Sequence, residues 1–252
     1  MKAELAPALG GALMALSHEG RDLLRRVASV EAVAADPREA ACYPMVPWFS
    51  RLAGGLDFAG RHYDLMPTLP ICDPDHALHG HGWVRPWTVS ARSQDSVACN
   101  YDHAPEPGLF PFPFRAEQRF SVNKSAFRID LSVMNTGGAP MPAGLGLHPF
   151  FTRRDKSAIV FNDARTSFAG AVMDDSHEGW NGAARIEDDS PLRIVSNAPI
   201  LHLYAPPNGS FFCAEPVTHL PGRFGETVLT PGETLKIFLK IETIFSDAEH
   251  GE

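Results

Sequence analysis

Two segments of this chain alternate apolar and polar residues with a period of two. Phe127, Ile129, Leu131 and Val133 are interleaved with Arg128, Asp130 and Ser132, and Leu235, Ile237, Leu239 and Ile241 stand against Lys236, Lys240 and Glu242. Successive side chains of a strand point to opposite faces, so each segment is predicted to be a strand with one face in a core and the other in water. Arg115–Val122 is expected to pair with the first through a turn at Asn123-Lys124-Ser125, and Thr230-Pro231-Gly232-Glu233 is a turn ahead of the second. Ile200–Tyr204 and Ser210–Ala214 read as strands buried on both faces. Only Gly20–Val27 carries a short helical pattern. With 22 prolines and 21 glycines punctuating the chain, the expectation is an all-β fold, a mainly antiparallel sandwich or barrel, forming one domain over residues 1–252.

Composition narrows the classes of function. The net charge of −8 argues against nucleic acid and anionic membrane surfaces as partners. Cys42, Cys72, Cys99 and Cys213 form no C-x-x-C pair, which argues against a zinc ribbon or a thioredoxin-type redox site and suits reduced thiols in a cytosolic protein. Lys2 precedes a mild apolar stretch, Ala6–Leu16, but Glu4 and Gly10-Gly11 interrupt what a signal peptide needs. No run of 18 apolar residues is present, so no spanning helix is expected, and a cytoplasmic location is.

Four places set titratable or donor groups in apolar or sharply turned surroundings. Arg51 follows Val46-Pro47-Trp48-Phe49-Ser50 and precedes Gly54-Gly55, where it is either an ordinary surface arginine or a guanidinium held at a pocket wall, suited to adjacent hydroxyls or a carboxylate. His79 and His81 lie in Leu78-His79-Gly80-His81-Gly82-Trp83, with His76 just upstream. Three histidines so close raise the question of a metal site, although the alternating glycines point instead to a tight backbone and hydrogen-bonding imidazoles. His148 sits in the apolar run Gly146-Leu147-His148-Pro149-Phe150-Phe151, where Pro149 favours an extended backbone and apolar neighbours lower its pKa. Glu215 closes Phe211-Phe212-Cys213-Ala214-Glu215-Pro216; a carboxylate pocketed there has a raised pKa and is the better base.

Taken together and in order, these segments resemble the aldose 1-epimerase (galactose mutarotase) family, in particular its shorter bacterial members. The resemblance also runs through Leu5–Ala12, Tyr43-Pro44, Phe112–Glu117, Met173-Asp174-Asp175, Gly179-Trp180 and Leu229–Glu233. It implies a large, mainly antiparallel β-sandwich with a sugar site in a cleft, and a cofactor-free, metal-free isomerase that interconverts the α and β anomers of a free aldose. By motif, Glu215 is then the general base, His148 the general acid and His79 a further active-site histidine. Arg51 and Asp174 take sugar-binding positions, although Asp174-Asp175-Ser176-His177-Glu178 reads equally as a solvated acidic loop, and Trp180 either stacks on a sugar ring or, as is commoner for an indole, belongs to the core. Ser50 departs from the family's usual asparagine before the arginine, which bears on sugar preference more than on chemistry.

Two other readings accompany this one. A mutarotase of phosphorylated hexoses needs a cationic pocket, for which Arg85, Arg153 and Arg154 are candidates. A carbohydrate-binding or regulatory module keeps the cleft without turnover. The chain is expected to be a monomer or a homodimer.

Overall fold

The structure is a computed structural model and describes residues 1–244. Two large sheets dominate, and every strand pairing in them is antiparallel. The nine-stranded sheet runs Ala164–Ser167, Ala158–Phe161, Ala183–Glu187, Leu192–Ser196, Thr234–Thr243, Ala126–Asn135, Phe114–Val122, Ser96–His103, Thr88–Arg92. Its centre is the pair predicted from alternation: Ile129 faces Leu239, and Leu131 faces Ile237. Phe127, Ile129, Leu131, Val133, Leu239 and Ile241 are almost fully buried, whereas Arg128, Asp130 and Ser132 keep solvent contact. The Asn123 turn is built as expected, its side-chain oxygen accepting from the Ser125 and Ala126 amides at 3.0 and 2.7 Å.

The second sheet has seven strands in line, Lys2–Ala6, Ala12–His18, Cys42–Met45, Gly146–Thr152, Phe211–Val217, Ile200–Ala205 and Met173–Glu178, with Arg21–Asp22 paired to the side of Ala12–His18. Here both faces are covered. Leu147, Phe151, Leu201, Leu203, Phe212 and Ala214 join Phe127, Ile129 and Leu131 in the core between the sheets. On the other face Tyr43, Met45, Phe150, Cys213 and Val217 pack under Phe49, Leu78 and Trp83 from irregular segments. Strands buried on both sides read as continuous apolar runs, as at Ile200–Tyr204.

The helix lies elsewhere than the Gly20–Val27 pattern suggests. Glu19 and Gly20, with φ of 51° and 79°, turn the chain into the short strand Arg21–Asp22. The helix is Val30–Ala35, started by Ser29, whose hydroxyl accepts from the Ala32 amide at 3.1 Å. No helix among the described residues is long and apolar enough to cross a membrane.

Candidate functional site

The covered outer face of the second sheet carries a cross-strand row of polar side chains. Tyr43 pairs with His148, His202 with Glu215, and Ser176 with His202. The register that joins Gly146 to Val217 and Phe150 to Cys213 brings His148 level with Glu215. Tyr43, His148, Glu215, His202 and Ser176 therefore sit side by side on five adjacent strands. The next row on the same face is Phe150, Cys213, Tyr204 and Asp174. These rows floor a cavity of about 520 Å³, lined by Tyr43, His148, Phe150, Asp174, His202, Tyr204 and Glu215 below and by Phe49, Ser50, Arg51, Leu78 and His79 above.

At its centre the Nε2 of His148 lies 3.3 Å from the Oε1 of Glu215. Both side chains are buried, and His148 Nδ1 and Glu215 Oε2 have no hydrogen-bond partner. Buried polar atoms of folded proteins are nearly always hydrogen-bonded, so these two are free to bond a molecule that enters the cavity. Burial, and then the Asp174 charge, push the Glu215 carboxyl well above its usual value. Burial, and then His79 and His202, push His148 well below its own. Buried at the floor of the cavity, the pair therefore favours neutral acid and neutral imidazole. Moving that one proton across the contact gives carboxylate and imidazolium with the same total charge.

His79 is held differently. The strands Arg51–Leu52 and Ala77–Leu78 pair, and beyond them the His79 amide donates to Ser50 O at 2.9 Å. In return the Ser50 amide donates to His79 Nδ1 at 3.0 Å, leaving the ring hydrogen on Nε2. Burial, with Arg51 and His202, lowers its pKa to about 3, so this imidazole is neutral and a hydrogen-bond donor. Its backbone has φ 55°, and a Cβ on the following Gly80 would lie 2.0 Å from Val46 O. That close approach is why the motif needs its glycine.

Arg51 bonds through Nε to Asp73 Oδ2 at 2.6 Å and keeps about half of its side chain exposed at the cavity wall. Although burial opposes it, hydrogen bonds from Arg51 and His76 bring the Asp73 carboxyl down to about 2. Asp174 projects from the edge strand, its Oδ1 3.2 Å from His202 Nε2, while Ser176 Oγ meets His202 Nδ1 at 2.8 Å.

Of the residues expected at the site, Arg51, His79, His148, Asp174 and Glu215 meet around this cavity. Trp180 does not: it is part of the core and its indole donates to Ala198 O at 2.8 Å. An indole whose only polar atom is satisfied inward gains more from core burial than from facing a cavity, and the aromatic lining comes from Tyr43, Phe49, Phe150, Tyr204 and Phe211 instead. The three clustered histidines go separate ways, since His76 bonds Asp73 at 2.9 Å and His81 accepts from the Phe110 amide at 3.1 Å while stacking on His103. Among the described residues the grouping with metal-ligand spacing is another, His148, Cys213 and Glu215.

The arginines proposed for a phosphate lie away from the cavity lining: Arg153 donates to Pro206 O, and Arg154 pairs with Asp188. Arg25 and Arg38 occupy its rim instead. Arg25 lies 4.0 Å over the Phe150 ring and donates to the carbonyls of Arg38 and Ala40, and Arg38 is paired with Asp36 at 2.6 Å. Sequence reasoning also missed His202, Asp73 and Tyr204. A histidine inside the apolar run Ile200–Tyr204 is the same signal that drew attention to His148.

The sequence profile of the aldose 1-epimerase family matches residues 3–171. The chain belongs to the aldose 1-epimerase family. Its relatives include YphB, an uncharacterized protein of Escherichia coli (strain K12), 27% identical with 81% of this chain and 84% of the relative covered. A candidate aldose 1-epimerase from Escherichia coli K12 has a similar crystal structure, with a TM-score of 0.84 at 23% identity over 95% of this chain and 94% of the other. A galactose 1-epimerase from Lactobacillus acidophilus NCFM gives 0.74 at 12% identity, over 94% and 89%. At these identities the structural likeness is one of fold, the galactose mutarotase-like sandwich. The profile match reaches Arg51, His79 and His148 but ends before Asp174, His202 and Glu215, so the case for those three rests on geometry.

Proposed function

We propose that this aldose 1-epimerase family member is a mutarotase, interconverting the α and β anomers of a free aldose by ring opening and reclosure. The observation that carries the reading is the His148–Glu215 contact of 3.3 Å in a cavity where each partner keeps an unbonded polar atom. Mutarotation needs one group to take the proton from the anomeric hydroxyl and another to give a proton to the ring oxygen. Those two oxygens share a carbon, so acid and base must stand close together.

Glu215, ionised when its proton rests on His148, accepts the hydroxyl proton, and His148 protonates the ring oxygen as the C1–O bond breaks. The open-chain aldehyde turns about C1–C2, and the reverse transfers close either anomer. The pair finishes as carboxylic acid and neutral imidazole, the form favoured by burial, which is also the form that recloses the ring. The Nε2–H of His79 supplies a fixed donor beside the same oxygens, while Arg51 and Asp174 hold hydroxyl groups. No step requires a cofactor.

Anomer exchange measured by NMR on a panel of aldoses tests this reading: acceleration that survives EDTA and is lost in Glu215→Gln supports it. Shifts on sugar titration with no acceleration for any sugar make the chain a binding module and overturn it. Arg38 is neutralised by Asp36, but Arg25 at the rim bonds carbonyls rather than a carboxylate and favours one second reading, a substrate with an anionic substituent such as a 6-phosphate, so phosphorylated hexoses belong in the panel.

A further inference from the structure

Cys213 lies two residues before Glu215 on one strand, so both side chains leave the sheet on the same face. With His148 on the neighbouring strand, one nitrogen, one sulfur and one carboxylate oxygen lie within 4.8 Å of one another. Ligands about 2.0–2.3 Å from a tetrahedral ion stand roughly 3.3–3.8 Å apart. His148 and Glu215 already have that spacing at 3.3 Å, and the sulfur has about an ångström at most to close. Glu215 Oε2 is buried and unpartnered, which gives the carboxylate free acceptor capacity at this point.

We propose that His148, Cys213 and Glu215 form a binding site for a divalent thiophilic ion of the zinc type, and that occupation of this site shuts the epimerase down. A thiolate and a carboxylate balance the two positive charges of the ion, so the filled site is neutral, as a buried site requires. The N, S, O donor set selects zinc, cobalt or cadmium over magnesium or calcium. Binding releases two protons, one from the Cys213 thiol and one from the Glu215–His148 pair. His148 and Glu215 line the cavity, from which water would complete the coordination. The ion takes the two groups that the proposed reaction uses, so it acts as an inhibitor. The binding half of this inference is independent of the mutarotase reading, whereas the inhibition half rests on it.

The test is titration of chelator-stripped protein with Co²⁺, read by the sulfur-to-cobalt charge-transfer band and the visible bands of tetrahedral cobalt. One equivalent is expected to develop both bands, and Zn²⁺ to abolish them. Cys213→Ser is expected to remove the charge-transfer band and weaken binding by about 100-fold or more. The same variant keeps its anomer exchange and becomes resistant to Zn²⁺ at concentrations that silence the parent. Cys213→Ala, checked for folding by its thermal melt, repeats the experiment if the serine disturbs the sheet. Absence of both bands at excess Co²⁺, or their persistence in the folded Cys213 variants, overturns the site. Bands without Zn²⁺ inhibition of an active enzyme overturn the inhibitory role. If the protein shows no anomer exchange at all, the cobalt spectrum still decides the binding site.

Discussion

The two large sheets treat charged and titratable residues differently. In the nine-stranded sheet the charged residues face water and find one another: Arg128 bonds Asp130 two residues on, Arg193 reaches Glu242 at 3.3 Å, and Arg165 holds Glu187 at 2.7 Å, while buried Gln118, Asn135 and His103 bond backbone carbonyls. In the other sheet both faces are covered, and the polar row Tyr43–His148–Glu215–His202 lies beneath Phe49 and His79 with two of its atoms unbonded. The first sheet gains stability at little cost. The second holds titratable groups in a low-dielectric cavity, which costs folding energy and shifts their proton affinities toward one another. This is the division expected if one sheet is scaffold and the other carries the chemistry.

Substitutions that separate stability from activity test that division most severely. Glu215→Gln is expected to lower anomer exchange by about 10²–10⁴-fold. Its melting temperature should not fall, because an amide replaces a buried ionisable group of the same shape. Phe127→Ala in the scaffold sheet is expected to do the reverse. It removes a fully buried ring and costs roughly 3–5 kcal/mol, yet the folded fraction should turn over normally. Chemical denaturation and NMR exchange on the same samples check both. A large activity loss per folded molecule in Phe127→Ala would erase the distinction.

The same contrast explains what the sequence discloses. Alternation at Phe127–Val133 exists because one face of that strand meets water, so pattern and structure coincide. The site strands carry no such pattern; Gly146–Phe151 is buried at every position. Their signal is a polar residue stranded in an apolar run, seen at His148 and Glu215 and overlooked at His202. Single residues of this kind do not say which partners they meet. The adjacency of His148 and Glu215 depends on a register between strands more than 60 residues apart in sequence, set by packing that no local pattern encodes. Resemblance to the family supplied that pairing before the fold did. Trp180 shows how a motif position leaves two roles open, sugar stacking and core, between which only the packing chooses: the residue lies in the core.

Acidification sharpens the comparison from another side. Burial holds His79 and His81 at about 3, each accepting a backbone amide on a ring nitrogen. Between their ordinary value near 6.5 and about 3, the unfolded chain binds protons that the folded chain refuses. Stability therefore falls as pH drops through this window, by roughly 1.4 kcal/mol per pH unit for each histidine, and levels off below it. Denaturant titrations from pH 7 to 4 on the parent and on His81→Gln check this, the variant having the shallower slope. Equal slopes would mean that other groups govern the acid limit.

A smaller effect is expected from Asp73→Asn at the cavity wall. The Asp73 carboxylate fixes the Arg51 guanidinium and caps the turn through the Asp75 and His76 amides at 3.2 and 3.1 Å. The amide keeps the shape and loses the charge, so Arg51 becomes free to wander. We expect KM to rise by about tenfold with kcat changed much less, the mark of an interaction made equally in ground and transition states. A fall confined to kcat would place Arg51 among the groups that act on the reacting carbon.

The smallest change concerns Ser50, where the family usually has asparagine. Its φ of 66° puts an L-residue in the left-handed region, while its amide is the donor that fixes the His79 tautomer. Asparagine enters this region more readily than serine. Ser50→Asn should therefore relieve strain and stabilise the fold by about 0.5–1 kcal/mol, a rise of roughly 2–4 °C in Tm at most. The backbone bond to His79 is retained, so kcat should hold. The longer amide reaches into the cavity, so any change belongs in KM and in the order of preference across the sugar panel. A lower Tm would mean that the serine hydroxyl, rather than its backbone, matters at this corner. An unchanged sugar preference would locate specificity at other residues of the lining, such as Arg25 and Asp174.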